Sequence, residues 1–307
     1  MPSSLCTLPR YTAQRGFSGF QILPEGVFAA MLTLQIVLAA LIGLAFGSFL
    51  NVCISRLPRH RSIVRPASHC PHCKAPIAAY DNVPLISYAV LGGRCRHCSK
   101  PISWRYPLVE AAVAALAVAN ILYVGADFWG VSFAIFCAVL FALAVCDIET
   151  MQLPDTFTLT LLVLGILYRA GDGLLEGLRY GAAYGLHAGL ILGLRGTISA
   201  AATALVLLLL RWIYSLLRHR QGLGLGDVKL AAAIAAWLGA RQMCLVFFLA
   251  VVTGALAALI VLAVRGREKT RVEGPLAVPF GTFLALGAIY CTFLGNATLR
   301  WYLDLFH

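Results

Sequence analysis

Acidic side chains are scarce. The chain has 13 Asp and Glu among 307 residues, against 24 Lys and Arg, and only 12% of its residues are charged. That composition excludes an ordinary soluble domain, whose surface needs far more charge. No H-E-x-x-H occurs, so the usual helical zinc-protease motif is missing. No G-x-G-x-x-G follows a strand pattern, so no soluble nucleotide-binding domain is foreseen. Carboxylates are absent from the middle of the apolar runs, which disfavours a transporter carrying protons or metal ions on mid-span acids. No cleavable signal-peptide pattern is expected, because residues 1–26 are polar and mixed and the first apolar run is too long for an h-region.

Apolar residues are abundant, at 60% of the chain. Runs of spanning length, or close to it, fall at about 27–50, 107–124, 128–146, 156–171, 197–217, 228–240, 243–264 and 280–299. The fold class expected is an all-α polytopic integral membrane protein of about eight transmembrane helices, with a small cytoplasmic zinc-binding loop domain. The sixth run is short, so its Trp237 end is expected to lie shallow. Residues 172–196, with "YGAAYGLHAGLILGL", suit an interfacial or re-entrant piece or half of an extra span.

The net charge of +11 sits in the loops between these runs, where the positive-inside rule puts it, so no nucleic-acid partner is expected. Between Asn51 and Trp104 lie Arg56, Arg59, Arg61, Arg65, Lys74, Arg94, Arg96 and Lys100 against one acid, Asp81. This loop is therefore cytoplasmic and the N-terminus outside. Alternation then puts Asp147, the Arg218–His219–Arg220 cluster with Asp227, and the run Arg265, Arg267, Lys269 and Arg271 on the cytoplasmic side too. The implied divisions are a periplasmic segment 1–26, a first span 27–50, a cytoplasmic four-cysteine segment 51–106 and a transmembrane segment 107–307.

Cys70 and Cys73 form one C-x2-C pair, and Cys95 and Cys98 another. Two such pairs a few tens of residues apart are a zinc spacing. A reducing cytoplasm disfavours the rival reading of two disulfides. A closed four-sulfur site leaves no position for substrate, so this zinc is structural. His69, His72 and His97 are expected at the surface. Cys6, Cys53, Cys137, Cys146, Cys244 and Cys291 read as small core residues. In "GSFLNVCISRLPR", Gly47 and Ser48 permit close helix packing, and Asn51 suits a cap or a bond to another helix.

The most distinctive stretch is "GLGLGDVKL", Gly222 to Leu230. Glycines alternate up to Gly226, and Asp227 then opens a helical run. Asp147 ends an earlier apolar run in "AVCDIETMQLPD". An acid at membrane depth is costly unless used. Two carboxylates that share a proton can activate water against a peptide bond. The bland alternative is that each caps a helix at the interface. For Asp155, after Pro154, that cap reading is preferred, and Glu149 reads as solvated or supporting. Lys229 suits pairing with an acid or a lipid phosphate. The helix dipole suggests that Asp227, at a helix start, is the ionised base, while Asp147, at a helix end, holds the proton.

The chain resembles the bacterial type IV prepilin leader peptidases, the bifunctional G-x-G-D aspartyl enzymes of type IV pili and type II secretion. The matching stretches are "GSFLNVCISRLPR", "CPHCKAPI", "YDNVPLISYAVLGGRCRHCSKPISWRYPLVE", "DIETMQLPD", "GLGLGDVKL" and "PFGTFLALG". The G-x-G-D element, Gly224 to Asp227, is also shared with presenilin-type intramembrane proteases. The resemblance implies a multi-pass enzyme of the bacterial inner membrane. Such an enzyme cleaves the leader from prepilins or pseudopilins on the cytoplasmic side, then methylates the new N-terminal amine using S-adenosylmethionine. By position it makes Asp147 and Asp227 the catalytic pair and Cys70, Cys73, Cys95 and Cys98 the zinc ligands. It gives no residue for the methyl donor. Two departures stand out. Thr282 replaces the second proline of the family's "PFGPF", and 172–196 is longer than the family leads one to expect; neither is expected to touch the catalytic pair. A peptidase without methylation, a coupled transporter and a zinc-knuckle scaffold remain as alternatives.

Overall fold

The structure is a computed structural model that describes residues 25–219, 223–265 and 278–305. The segment 1–24, with Cys6, and Arg220, Gly222, the basic run 267–271 and His307 lie outside the described residues. Among the described residues the regular structure is helical, with two isolated β-bridges. The helices are α1 Glu25–Arg56, α2 Ile86–Val90, α3 Arg105–Val124, α4 Phe128–Thr150, α5 Asp155–Leu178, α6 Ala182–Arg218, α7 Leu225–Leu238, α8 Ala240–Arg265 and α9 Phe280–Asp304. Seven are long and apolar enough to cross a bilayer. The remaining apolar run, the sixth, is α7, whose 14 residues rise only about 21 Å, short of a hydrocarbon core of about 30 Å.

Contacts divide the chain into two units. The first holds residues up to Val52 together with Pro66–Ala138, and the second holds Cys53–Arg65 together with Val139 onward. In the first unit, α1 and α3 approach closely at small residues. A Cβ at Gly43 would lie 2.7 Å from Ala114 Cα, and one at Gly47 would lie 2.8 Å from Glu110 Cα. The Asn51 amide donates to the Tyr106 carbonyl at 3.0 Å, so it bonds a neighbouring helix. Buried Glu110 accepts the backbone N–H of Leu85, which has a left-handed φ of 58°.

In the second unit, α7 is the core. Every residue from Leu230 to Leu238 is buried, with α5, α6, α8 and α9 packed around it. Trp237 lies at the enclosed end of this helix. Its indole is buried, donates to the Leu161 carbonyl at 2.8 Å and stacks on Tyr168 at 4.9 Å between centroids. A short helix enclosed by others need not expose its end.

The uncertain stretch 172–196 is also resolved. Residues 172–178 finish α5, and residues 182–196 begin α6. Glycines line the seam between them. A Cβ at Gly177 would meet Gly185 Cα at 2.6 Å, and one at Gly173 would meet the Ala188 carbonyl oxygen at 2.5 Å. Only backbones fit there, so a glycine-rich stretch of weak hydropathy forms a tight helical hairpin. The longer α5 also carries Asp172 as a buried residue inside a spanning helix, so carboxylates are not confined to helix ends. Of the scattered cysteines, Cys53, Cys137, Cys146 and Cys291 are buried as expected, while Cys244 is exposed.

Candidate active site

Asp147 lies in the last turn of α4 and Asp227 in the first turn of α7. They are brought together at Gly281, in the first turn of α9. A Cβ placed on Gly281 would stand 3.0 Å from Asp147 Oδ2, 3.1 Å from Asp227 Oδ1 and 2.8 Å from Leu153 Cδ1. Two carboxylates on separate helices thus converge on one point that only a glycine leaves open. Leu153, from the turn between α4 and α5, closes another side. A Cβ at Gly226 would meet its side chain at 3.1 Å. The last glycine of the G-x-G-D run therefore makes room for Leu153, while Gly224 is the N-cap of α7.

Asp147 is buried and Asp227 is partly open. Asp147 Oδ2 accepts the backbone N–H of Thr282 at 2.8 Å and lies 3.2 Å from its hydroxyl. Beside Asp227 stands the backbone N–H of Gly224. Hydrogen bonds to a carboxylate favour its charged form. Asp147 thus receives the larger set of hydrogen-bond donors. These donors come from the N-terminus of α9 and not from the helix that carries Asp147.

Thr282 is the residue that sequence reasoning passed over. It was noticed only as a departure from a motif and expected to be remote, yet it touches Asp147 directly. Position gave a weak signal: it is the third residue of a helix opened by Pro279, where backbone N–H groups lack intrahelical partners. Asp155 also differs from expectation. Pro154 is the N-cap, and Asp155 instead pairs with Lys229 Nζ at 2.7 Å. That is the acid partner foreseen for Lys229. Glu149 is exposed.

The four cysteines of the first unit form a second site. Their sulfurs lie within 4.8 Å of one another, with Cys70–Cys98 at 3.8 Å and Cys73–Cys95 at 4.0 Å. A tetrahedral ion on thiolates at about 2.3 Å has sulfur–sulfur edges of about 3.8 Å, so the tetrad fits a metal ion. Two matching turns build it. Cys70 N–H bonds the Ala75 carbonyl, and Cys95 N–H bonds the Lys100 carbonyl, both at 2.9 Å. Lys74 and Ser99 take left-handed φ values of 60° and 56° at equivalent places. The N–H groups of Cys73 and His72 point at the Cys70 sulfur and bring its pKa down to about 6, while burial and the neighbouring sulfurs push the Cys98 thiol up to about 11. Arg96, beside the second pair, forks onto Asp81 at 2.8 and 2.6 Å and holds that carboxyl below its usual range. His69, His72 and His97 are exposed and outside the tetrad.

Comparison with known proteins fits both sites into one pattern. The family described as "Bacterial Peptidase A24 N-terminal domain" matches residues 41–124, and the "Type IV leader peptidase family" matches residues 134–259. A prepilin leader peptidase/N-methyltransferase of Burkholderia pseudomallei is 37% identical over 301 residues, covering 89% of this chain and 90% of that protein. The chain belongs to the type IV leader peptidase family. Other relatives with the same description are one from Aeromonas hydrophila, 36% identical over 88% of this chain and 94% of its own, and one from Neisseria gonorrhoeae, 32% identical over 75% and 84%. No solved structure matches the chain. Within this family the first match takes in all four cysteines and the second takes in both aspartates. The end of the second match at residue 259 leaves Gly281 and Thr282 beyond it.

Proposed function

We infer that this chain is an aspartyl prepilin peptidase and N-methyltransferase of the bacterial inner membrane, with Asp147 and Asp227 as its catalytic pair. The observation that carries the reading is the convergence of both carboxylates on the open point beside Gly281. The names of the relatives supply the substrate class, prepilins or pseudopilins, and the second activity.

In the reaction, ionised Asp147 takes a proton from a water held between the carboxylates. The resulting hydroxide attacks the peptide carbonyl carbon, and Asp227 gives its proton to the carbonyl oxygen. Collapse of the tetrahedral diol breaks the C–N bond: the proton gained by Asp147 passes to the leaving amine, and one diol hydroxyl returns its proton to Asp227. The pair titrates as a unit, so pH profiles report both carboxyls together.

Cys70, Cys73, Cys95 and Cys98 would hold a zinc ion, which supplies fold stability to the cytoplasmic segment 51–106 and no chemistry. The peptidase occupies the transmembrane segment 107–307, and 27–50 is the first span, after a periplasmic segment 1–26. The basic loops orient the active site to the cytoplasm. S-adenosylmethionine is the methyl donor by family resemblance. Lipids surround the spans, and no nucleic acid is involved. The coupled transporter is disfavoured, because all the named relatives are peptidases and the two acids meet at helix ends.

The test is cleavage of a purified prepilin in detergent, with product mass read with and without S-adenosylmethionine. Asp147→Asn and Asp227→Asn should each lower cleavage at least about a hundredfold, while the wild-type product gains one methyl group. Cleavage that survives in either variant removes the pair. Cleavage without methylation leaves a peptidase alone.

A further inference from the structure

The first turn of α9 contributes more to Asp147 than a fixed backbone donor. The Thr282 hydroxyl carries one proton and stands between two acceptors, 3.1 Å from the Ala144 carbonyl oxygen and 3.2 Å from Asp147 Oδ2. Thr282 is buried, so water does not offer its hydroxyl an easy alternative. The backbone N–H of the same residue reaches the same carboxylate oxygen at 2.8 Å. We propose that Thr282 is a positioning residue for the reaction, its hydroxyl turning between Asp147 and Ala144 as Asp147 loses and gains the catalytic proton.

When Asp147 is ionised, the hydroxyl donates to Oδ2 and adds to the backbone bond. When Asp147 holds the proton, the hydroxyl turns to the Ala144 carbonyl, and its oxygen is free to accept from the carboxylic acid. Both states keep every polar atom bonded, so proton transfer leaves no buried group unpaired. No bond other than the hydrogen bonds changes, and the proton count stays that of the aspartate pair. Asp227 on α7 is the titratable group that faces Asp147; α9 meets it with uncharged donors, and Lys229 is turned to Asp155. The inference rests on the aspartate pair being catalytic.

The experiment compares Thr282→Val and Thr282→Ser in the full-length chain by kcat and KM for prepilin cleavage across pH, beside Asp147→Asn. Valine keeps the shape and the backbone N–H but removes the hydroxyl. It should lower kcat about tenfold, the worth of one hydrogen bond to a charged group. It should leave KM within about twofold and move the acid limb of kcat/KM about one pH unit upward, since the base loses a bond favouring its charge. Serine should restore both kcat and the limb. A valine variant with wild-type kcat and pH profile overturns the proposal, as does a serine variant no better than valine. If valine prevents folding, Thr282→Ala against Thr282→Ser makes the same contrast. Retained cleavage in Asp147→Asn is the distinct signature of failure of the pair itself, and the proposal falls with it.

Discussion

At Gly281 one methyl group would reach both aspartates. Its absent Cβ would crowd both aspartates and Leu153 at once. Alanine is the better helix former by up to about 1 kcal/mol, which offsets part of this crowding, so Gly281→Ala should lower the melting temperature in detergent by no more than a few degrees. It should still lower prepilin cleavage at least about tenfold, because water loses its place between the carboxylates. Full cleavage by this variant would separate the convergence point from the chemistry. Asp227 was legible because glycines announced it, and Asp147 because an acid closed an apolar run. Thr282 was not, because its partner is 135 residues away and nothing local in "PFGTF" names that partner. The hydrogen-bond donors to Asp147 were out of view for the same reason. A helix dipole read from sequence knows only its own helix, and the donors to Asp147 come from another.

The helices themselves were largely written in the hydropathy, and all eight expected apolar runs appear as helices. What the pattern missed was where glycine substitutes for apolar side chains. The α5–α6 seam is built from residues with nothing to bury, so it scores weakly although its backbones touch. The short run suggested a shallow end for Trp237 but not the ring's partners, Tyr168 and the Leu161 carbonyl. Trp237→Phe removes that donor and should cost about 1 kcal/mol in reversible unfolding in detergent. Gly165→Val should cost more, about 1–3 kcal/mol, because a Cβ there already lies 2.6 Å from the Trp237 ring. A smaller loss for the valine than for the phenylalanine variant would mean that α5 can move away from α7. Lys229→Ala breaks an exposed ion pair and should change stability by less than about 1 kcal/mol.

The two units divide the labour of stability. All the cysteines of the tetrad lie in the first, and both aspartates with their hydrogen-bond donors lie in the second. Elemental analysis of the purified chain should find about one zinc per chain, and Cys70→Ser together with Cys95→Ser should abolish it. Chelation should lower the melting temperature by several degrees; a metal-free preparation with an unchanged melt would leave the tetrad without a structural role. The second unit has a different dependency, on the order in which the chain is made. Asp147 is synthesised 135 residues before the Thr282 N–H that binds it. At ribosomal rates of about 5–20 residues per second, that is an interval on the order of ten seconds. Asp227 follows Asp147 by 80 residues, so for the last 55 residues of that interval both aspartates have been made and Thr282 has not. A nascent chain that has not yet made α9 thus carries both aspartates without the donors that α9 brings to Asp147.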